Sequence, residues 1–285
     1  MNPLVAENFC KTYPTFSLKD VSFSLEQGKI TGFIGRNGAG KTTTLKCLFN
    51  IVHPDRGQAT FFGKTFREHE LEIKQQVGYV CGGIDYYTQK KLQRITEVTK
   101  RFYTAWDDTA YKRYLSLFNL DEGKTPAQLS AGMKVKYALA LALSHNAELL
   151  ILDEPTSGLD PVSRDELLQI FLELCNQGKT IFFSTHITSD LDNCADNIIY
   201  ISDGAIKADT CMKSFVEGYR VVELPQNGVP LELESSLIGR KRTKTGYSAL
   251  VKAGTERRLG LPAKEVDLEE IMVHLEKERE TCAIC

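Results

Sequence analysis

A glycine-rich segment near the N-terminus narrows the folds that this chain can adopt. Residues 35–42 read GRNGAGKT and fit the pattern G-x-x-x-x-G-K-T, whose backbone N–H groups close around phosphate oxygens. The run before it, KITGFIG, predicts a strand, and a helix is predicted to begin near Lys41. A strand, a glycine-rich loop and a helix in this order are typical of a phosphate-binding unit.

The residues of this loop have separate predicted tasks. Gly38 and Gly40 carry no side chain that would keep the backbone away from a phosphate group. Lys41 would reach the β- and γ-phosphates, and the hydroxyl of Thr42 would bind Mg²⁺. The expected ligand is therefore a nucleoside triphosphate with its metal ion.

The remaining strand signals indicate an α/β fold. QATFFG, VGYV, ELLILD and KTIFFST predict strands, and the last two are apolar throughout, as in a parallel sheet covered on both faces. Residues 84–146 read as helical, and NIIYISDGAIKAD predicts a hairpin that turns at Asp203 and Gly204. The basic run GRKRTK near the C-terminus reads as a solvated loop.

Two further strand ends carry groups suited to phosphate chemistry. The strand LLILD leads to adjacent acids, of which Asp153 would hold Mg²⁺ and Glu154 would orient or deprotonate the attacking water. His186 follows the strand FFST, and ligands of open α/β sheets bind at the carboxyl ends of the strands. We therefore predict that Glu154 and His186 are catalytic.

The segment LSAGM, residues 129–133, precedes an alanine- and leucine-rich run that predicts a helix from Met133. Ser130 lies where such a helix presents free N–H groups, which attract anions. An ordinary helix cap would explain an isolated serine equally well. The two interpretations remain open at this point.

Four motifs together resemble one known family over about residues 1–215. GRNGAGKTT, LSAGM, LLILDEPTSGLDP and STH stand in the order and spacing of the nucleotide-binding subunit of an ATP-binding cassette (ABC) transporter. The resemblance implies a P-loop NTPase fold with a RecA-like core, an antiparallel β subdomain and a helical subdomain at about 84–146. It places the ATPase domain at residues 1–214, and residues 215–285 would form a small α+β accessory domain.

The resemblance also assigns site residues. Tyr13 matches the aromatic position that stacks on adenine, although Phe16 is close enough to be confused with it. Ser130 and Gly132 would bind the γ-phosphate held by the P-loop of a second chain, and Asp160 would cross that interface. The nucleotide-binding set is Tyr13, Asn37, Gly38, Ala39, Gly40, Lys41, Thr42, Thr43, Ser130, Gly132 and Asp160.

The sequence departs from the family pattern at two places. In the signature, Ala131 replaces a glycine and Met133 replaces a glutamine, while Ser130 remains. The family's glutamine after VGYV is missing, since Gly82 stands near that position, and Asp85 is a candidate substitute. The second departure predicts weakened coupling to the membrane partner.

The resemblance implies an ATPase that uses ATP and Mg²⁺, pairs with a second copy or a homologous subunit, and powers integral membrane permease subunits. Its place would be the cytoplasmic face of the membrane, and its tail resembles exporters of drugs, antibiotics or amphipathic peptides. A formal net charge of -2 gives no general attraction to nucleic acid, so no nucleic-acid partner is expected. The alternative is a soluble ABC ATPase that acts on ribosomes or DNA.

Overall fold

The computed structural model describes residues 1–81, 86–224, 234–244 and 246–282, in two compact units, Met1–Asp209 and Thr210–Cys285. The strands are β1 (Leu4–Tyr13), β2 (Phe16–Leu25), β3 (Ile30–Ile34), β4 (Arg56–Phe61), β5 (Lys64–Thr65), β6 (Val77–Cys81), β7 (Leu149–Asp153), β8 (Thr180–Thr185), β9 (Asn197–Ser202), β10 (Ala205–Cys211), β11 (Tyr219–Leu224), β12 (Ile238–Arg242), β13 (Tyr247–Lys252) and β14 (Ala263–Lys264). The helices are α1 (Lys41–Leu48), α2 (Phe66–Gln76), α3 (Leu92–Thr99), α4 (Asp108–Leu117), α5 (Ala131–Ser144), α6 (Pro161–Asn176), α7 (Thr188–Cys194), α8 (Met212–Glu217), α9 (Thr255–Leu259) and α10 (Leu268–Cys282).

The central sheet of the first unit has the strand order β10-β9-β3-β8-β7-β6. The pairs β9–β3, β3–β8, β8–β7 and β7–β6 are all parallel, so these strands end at one edge of the sheet. Strands β3, β7 and β8 are buried along their whole length, which explains their continuous apolar runs. This topology confirms the predicted α/β class.

A smaller antiparallel sheet, in the order β2-β1-β4-β5, packs against the central sheet. Aromatic rings form much of the contact: the ring centroid of Phe23 in β2 lies 5.9 Å from that of Phe33 and 5.4 Å from that of Phe182. Rings at these separations pack favourably beyond the apolar area that they bury. The contact fixes the β1–β2 hairpin relative to the strands β3 and β8.

Residues 86–146 contain helices α3, α4 and α5 and two short 3₁₀ segments, Lys100–Phe102 and Pro126–Gln128. The helix predicted from Met133 begins two residues earlier, at Ala131. Alanine is the best helix former, and Ser130 caps this earlier start by accepting a hydrogen bond from the N–H of Met133 at 3.2 Å.

The second unit contains an antiparallel sheet in the order β12-β13-β11-β14. The basic run GRKRTK, predicted as a loop, instead supplies most of strand β12. That prediction was wrong because β12 is an edge strand. Its exposed basic side chains lack the alternation of apolar and polar residues that predicts a strand. The predicted domain boundary at 214/215 falls within helix α8.

Candidate functional site

The glycine-rich loop joins β3 to α1 in backbone conformations that favour glycine. Gly38 has φ 84° and Gly40 has φ 114°, both in the region that L side chains rarely adopt. A Cβ on Gly40 would also lie 2.7 Å from Leu18 Cδ2 and 2.8 Å from Phe16 Cζ. The loop therefore needs glycine here both for its turn and for the close approach of β2.

Lys41 is held inside the loop. Its side chain is buried, and Nζ donates to the carbonyl oxygen of Gly35 at 2.7 Å and to that of Arg36 at 3.3 Å. Nζ also forms an ion pair with Glu154 Oε1 at 3.2 Å. The charge of this buried lysine is thus balanced by the Glu154 carboxylate, which directly follows strand β7.

Asp153 ends β7 at the bottom of the site. Its Oδ1 accepts hydrogen bonds from Ser184 Oγ at 2.6 Å and from Thr42 Oγ1 at 3.3 Å. Asp153 pairs in register with Ser184 of β8, and this pairing brings the carboxylate beside the first turn of α1. The two groups predicted to hold a metal ion therefore do lie together.

Glu154 leaves the sheet in a left-handed conformation, with φ 50°. Its N–H donates to the side-chain oxygen of Ser184 at 3.0 Å, and its Oε2 lies 2.7 Å from His186 Nδ1. A non-glycine residue at positive φ is uncommon, and such strain concentrates at functional sites. Here the turn aims the carboxylate at Lys41 and His186 together.

These groups surround a cavity of about 430 Å³. Most of the predicted P-loop residues line it, whereas Ala39 does not and Asp153 is buried below it. The sequence analysis missed Arg36 and Ser157 as lining residues. The cavity is lined by Phe16, Arg36, Asn37, Gly38, Gly40, Lys41, Thr42, Thr43, Glu154, Ser157 and His186.

The two aromatic candidates for the adenine contact differ in position. Phe16 lines the cavity, with its ring over Gly40, while Tyr13 lies outside the lining with 37% of its surface exposed. The two residues face each other across the β1–β2 hairpin. The position of Phe16 favours it for the adenine contact, and the role of Tyr13 stays a prediction.

The segment LSAGM borders a second, separate cavity of about 620 Å³. Ser130, Gly132 and Met133 line it, opposite Ser163 of the first turn of α6. Asp160 caps α6, and hydrogen bonds from the side chain and backbone of Ser163 lower the pKa of its carboxyl group. The P-loop cavity and this cavity have no lining residue in common.

Comparison with known proteins identifies this arrangement. The family model described as ABC transporter matches residues 18–157. The ABC-type transporter ATP-binding protein EcsA of Bacillus subtilis is 31% identical over 229 residues, which cover 79% of this chain and 93% of EcsA. The chain belongs to the ABC transporter family.

Two other similar proteins support the family assignment. The bacitracin transport ATP-binding protein BcrA of Bacillus licheniformis is 33% identical over 193 residues, which cover 67% of this chain and 63% of BcrA. A solved ATP-binding subunit of an ABC transporter superposes with a TM-score of 0.67 at 28% identity, over 74% of this chain and 90% of that subunit. This ABC protein is accordingly an ATP-binding transporter subunit that hydrolyses ATP.

Two features of this ABC subunit bear on its relation to the membrane. Among the described residues, no helix is both long enough and apolar enough to cross a bilayer. Gly82 and Asp85, the residues at and near the position of the missing glutamine, lie outside the described residues. The predicted weak coupling therefore stays a prediction.

Proposed function

We propose that this chain closes as a dimer around two ATP molecules and powers export through separate membrane permease subunits. The separation of the two cavities carries this proposal. Because the P-loop and the Ser130 segment line different cavities of one chain, we expect a site that uses both to take them from different chains. Each ATP would lie between the P-loop of one protomer and the helix end capped by Ser130 of its partner.

In this proposal the P-loop and the strand ends divide the chemistry. Backbone N–H groups of residues 37–43 and the ammonium of Lys41 would bind the phosphates. The γ-phosphate would compete with Glu154 for Lys41, which releases the carboxylate to act on the attacking water. Because the ionised Glu154 carboxylate can only accept, Nδ1 of His186 donates to it, and this hydrogen bond would hold the imidazole ring at the wall of the P-loop cavity beside the γ-phosphate.

The donor set beside the P-loop fits Mg²⁺. Magnesium prefers oxygen ligands, and the Thr42 hydroxyl and the Asp153 carboxylate lie within hydrogen-bonding distance of each other at the foot of the cavity. We propose that Thr42 holds the ion directly and that Asp153 holds it through its water shell. The bound ion would supply positive charge that stabilises the developing negative charge on the phosphates.

The ATPase domain in this proposal is the unit Met1–Asp209, and the unit Thr210–Cys285 is an accessory domain. BcrA is named as a bacitracin transport protein, which supports an antibiotic or amphipathic peptide as the cargo class here. The subunit would sit on the cytoplasmic face of the membrane through its permease partners.

Two measurements on the full chain test this function. A tagged chain expressed in its native host should copurify with an integral membrane protein. The purified chain should shift from monomer to dimer when a slowly hydrolysed ATP analogue is added. A chain that stays monomeric at saturating analogue and copurifies with ribosomes would favour the alternative function.

Removing the two aromatic rings beside the turn of the β1–β2 hairpin, Tyr13 and Phe16, is expected to weaken ATP binding. Base stacking on an aromatic side chain contributes about 1–3 kcal/mol, so the Tyr13→Ala/Phe16→Ala double variant should raise the Kd for ATP by about 10-fold or more. Titration of each single variant will show which ring carries the larger share. Binding of inorganic triphosphate, which has no base, should be unchanged, and an equal loss for triphosphate would mean that the rings only support the loop.

A further inference from the structure

A buried carboxylate outside the catalytic set connects the parts of this site. Asp190 lies in α7 and is fully buried. Its Oδ2 accepts a hydrogen bond from Thr156 Oγ1 at 2.6 Å and a longer one from Thr185 Oγ1 at 3.4 Å. Asp190 therefore joins the segment that follows Glu154 to the strand end that precedes His186.

The other carboxylate oxygen of Asp190 faces α6. Oδ1 lies 3.7 Å from Arg164 Nε, close enough for an ion pair but too far for a hydrogen bond. Among the residues that the structure describes, neither of these two atoms has a hydrogen-bond partner. Burial also raises the pKa of Asp190. Burying this carboxylate costs free energy of folding, and an apolar side chain could fill the same space without that cost.

The partners of Asp190 stand next to lining residues of both cavities in the sequence. Thr156 stands between Glu154 and Ser157, which line the P-loop cavity, and Thr185 immediately precedes His186, which lines the same cavity. Arg164 follows Ser163, which lines the cavity of Ser130. One buried side chain thus contacts two segments that lead into the P-loop cavity and the helix that supplies Ser163 to the other cavity.

We propose that Asp190 is a positioning residue for ATP hydrolysis. It holds Glu154 and His186 in a common arrangement and ties that arrangement to the first turn of α6, which follows Asp160. The inference rests on the proposed function, because only an ATP held between two chains makes α6 part of the partner's site. Asp190 itself contacts neither cavity, so its effect passes through Thr156, Thr185 and Arg164.

The test is a comparison of kcat with KM in the full chain. Asp190→Asn keeps the shape and an oxygen for Thr156 but removes the charge that faces Arg164. Misplacing catalytic groups by about 1 Å can cost about 100-fold in rate, so kcat should fall by about 10- to 100-fold while KM for ATP changes less than about 3-fold. Asp192→Asn, at an exposed carboxylate on the same helix, is the matched control and should leave kcat unchanged.

A double-mutant cycle separates positioning from simple destabilisation. If the Arg164–Asp190 link transmits the effect, the losses in kcat caused by Arg164→Met and Asp190→Asn should not add: the double variant should be no slower than Asp190→Asn alone.

A variant of a hydrogen-bond partner covers the case in which Asp190→Asn does not fold. Thr156→Val replaces the donating hydroxyl with a methyl group and should lower kcat in the same way.

Three outcomes would overturn the inference: an unchanged kcat in folded Asp190→Asn, an unchanged kcat in Thr156→Val, or additive losses in the cycle. Failure of the proposed function is seen separately in the wild-type chain, as a lack of ATP-driven dimers. If the wild-type chain dimerises with ATP and the Asp190→Asn chain has a normal kcat, only the role of Asp190 is refuted.

Discussion

Replacing Glu154 with glutamine is expected to lower the rate of ATP hydrolysis by about 10²- to 10⁴-fold while ATP binding persists. The amide keeps the size of the side chain but cannot accept the proton of the attacking water. An amide oxygen can still accept from Lys41, so the P-loop lysine keeps a partner in the nucleotide-free site. With ATP bound and not hydrolysed, the dimer should remain closed.

The measurement is steady-state phosphate release, combined with size-exclusion chromatography in Mg·ATP. Glu148→Gln is the matched control, because Glu148 is an exposed acid next to the opposite end of the same strand, β7. It should retain wild-type turnover and show no trapped dimer. An E154Q chain that hydrolysed ATP at the wild-type rate would show that another group is the base.

Local patterns were sufficient to predict most of the first unit. Strands β7 and β8 are apolar runs that end in polar residues, and β3 leads directly into the P-loop. Parallel strands of one sheet must bring their carboxyl ends to one edge. The meeting of the P-loop with Glu154 and His186 follows from that rule alone. Thr42 Oγ1 and Asp153 Oδ1 lie 3.3 Å apart, and the roles of these two residues stay proposals.

The features that the sequence did not predict depend on contacts between distant segments. Phe16 enters the cavity because β2 packs over Gly40, a contact that no local pattern contains. Asp190 contacts Thr156 and Arg164 because α7 packs beside α6, and these residues are distant from Asp190 in the sequence. Strand β12 forms through its pairing with β13, although its own residues suggest a loop. Each of these depends on tertiary structure overriding local preference.

Replacing Ser130 with aspartate is expected to abolish ATP-driven dimerisation and to lower hydrolysis by about 100-fold or more. Aspartate caps helices as well as serine does, so α5 should keep its start and the chain its stability. Its carboxylate would meet the γ-phosphate of the partner's ATP, and like charges brought together at an interface cost several kcal/mol. ATP binding to the variant's own P-loop should be retained.

This substitution separates the two interpretations of the serine. If Ser130 is only a helix cap, S130D should dimerise and hydrolyse ATP like the wild type. Ser24→Asp, at an exposed serine of β2, controls for a negative charge added elsewhere and should remain active. The melting temperature of S130D should stay near that of the wild type, and a large decrease would mean that helix α5 itself had been disturbed.

The most direct test of the sandwich is to mix two inactive chains, Lys41→Ala and Ser130→Asp, that carry different affinity tags. In a mixed dimer one site holds both defects, while the other joins an intact P-loop to an intact Ser130 segment. After cross-linking and capture through both tags, the mixed dimer is expected to retain about one slowly hydrolysed ATP analogue at the intact site, bound more tightly than in the S130D homodimer. A mixed dimer that binds the analogue no more tightly than the cross-linked S130D homodimer would contradict the proposal that ATP is shared between chains.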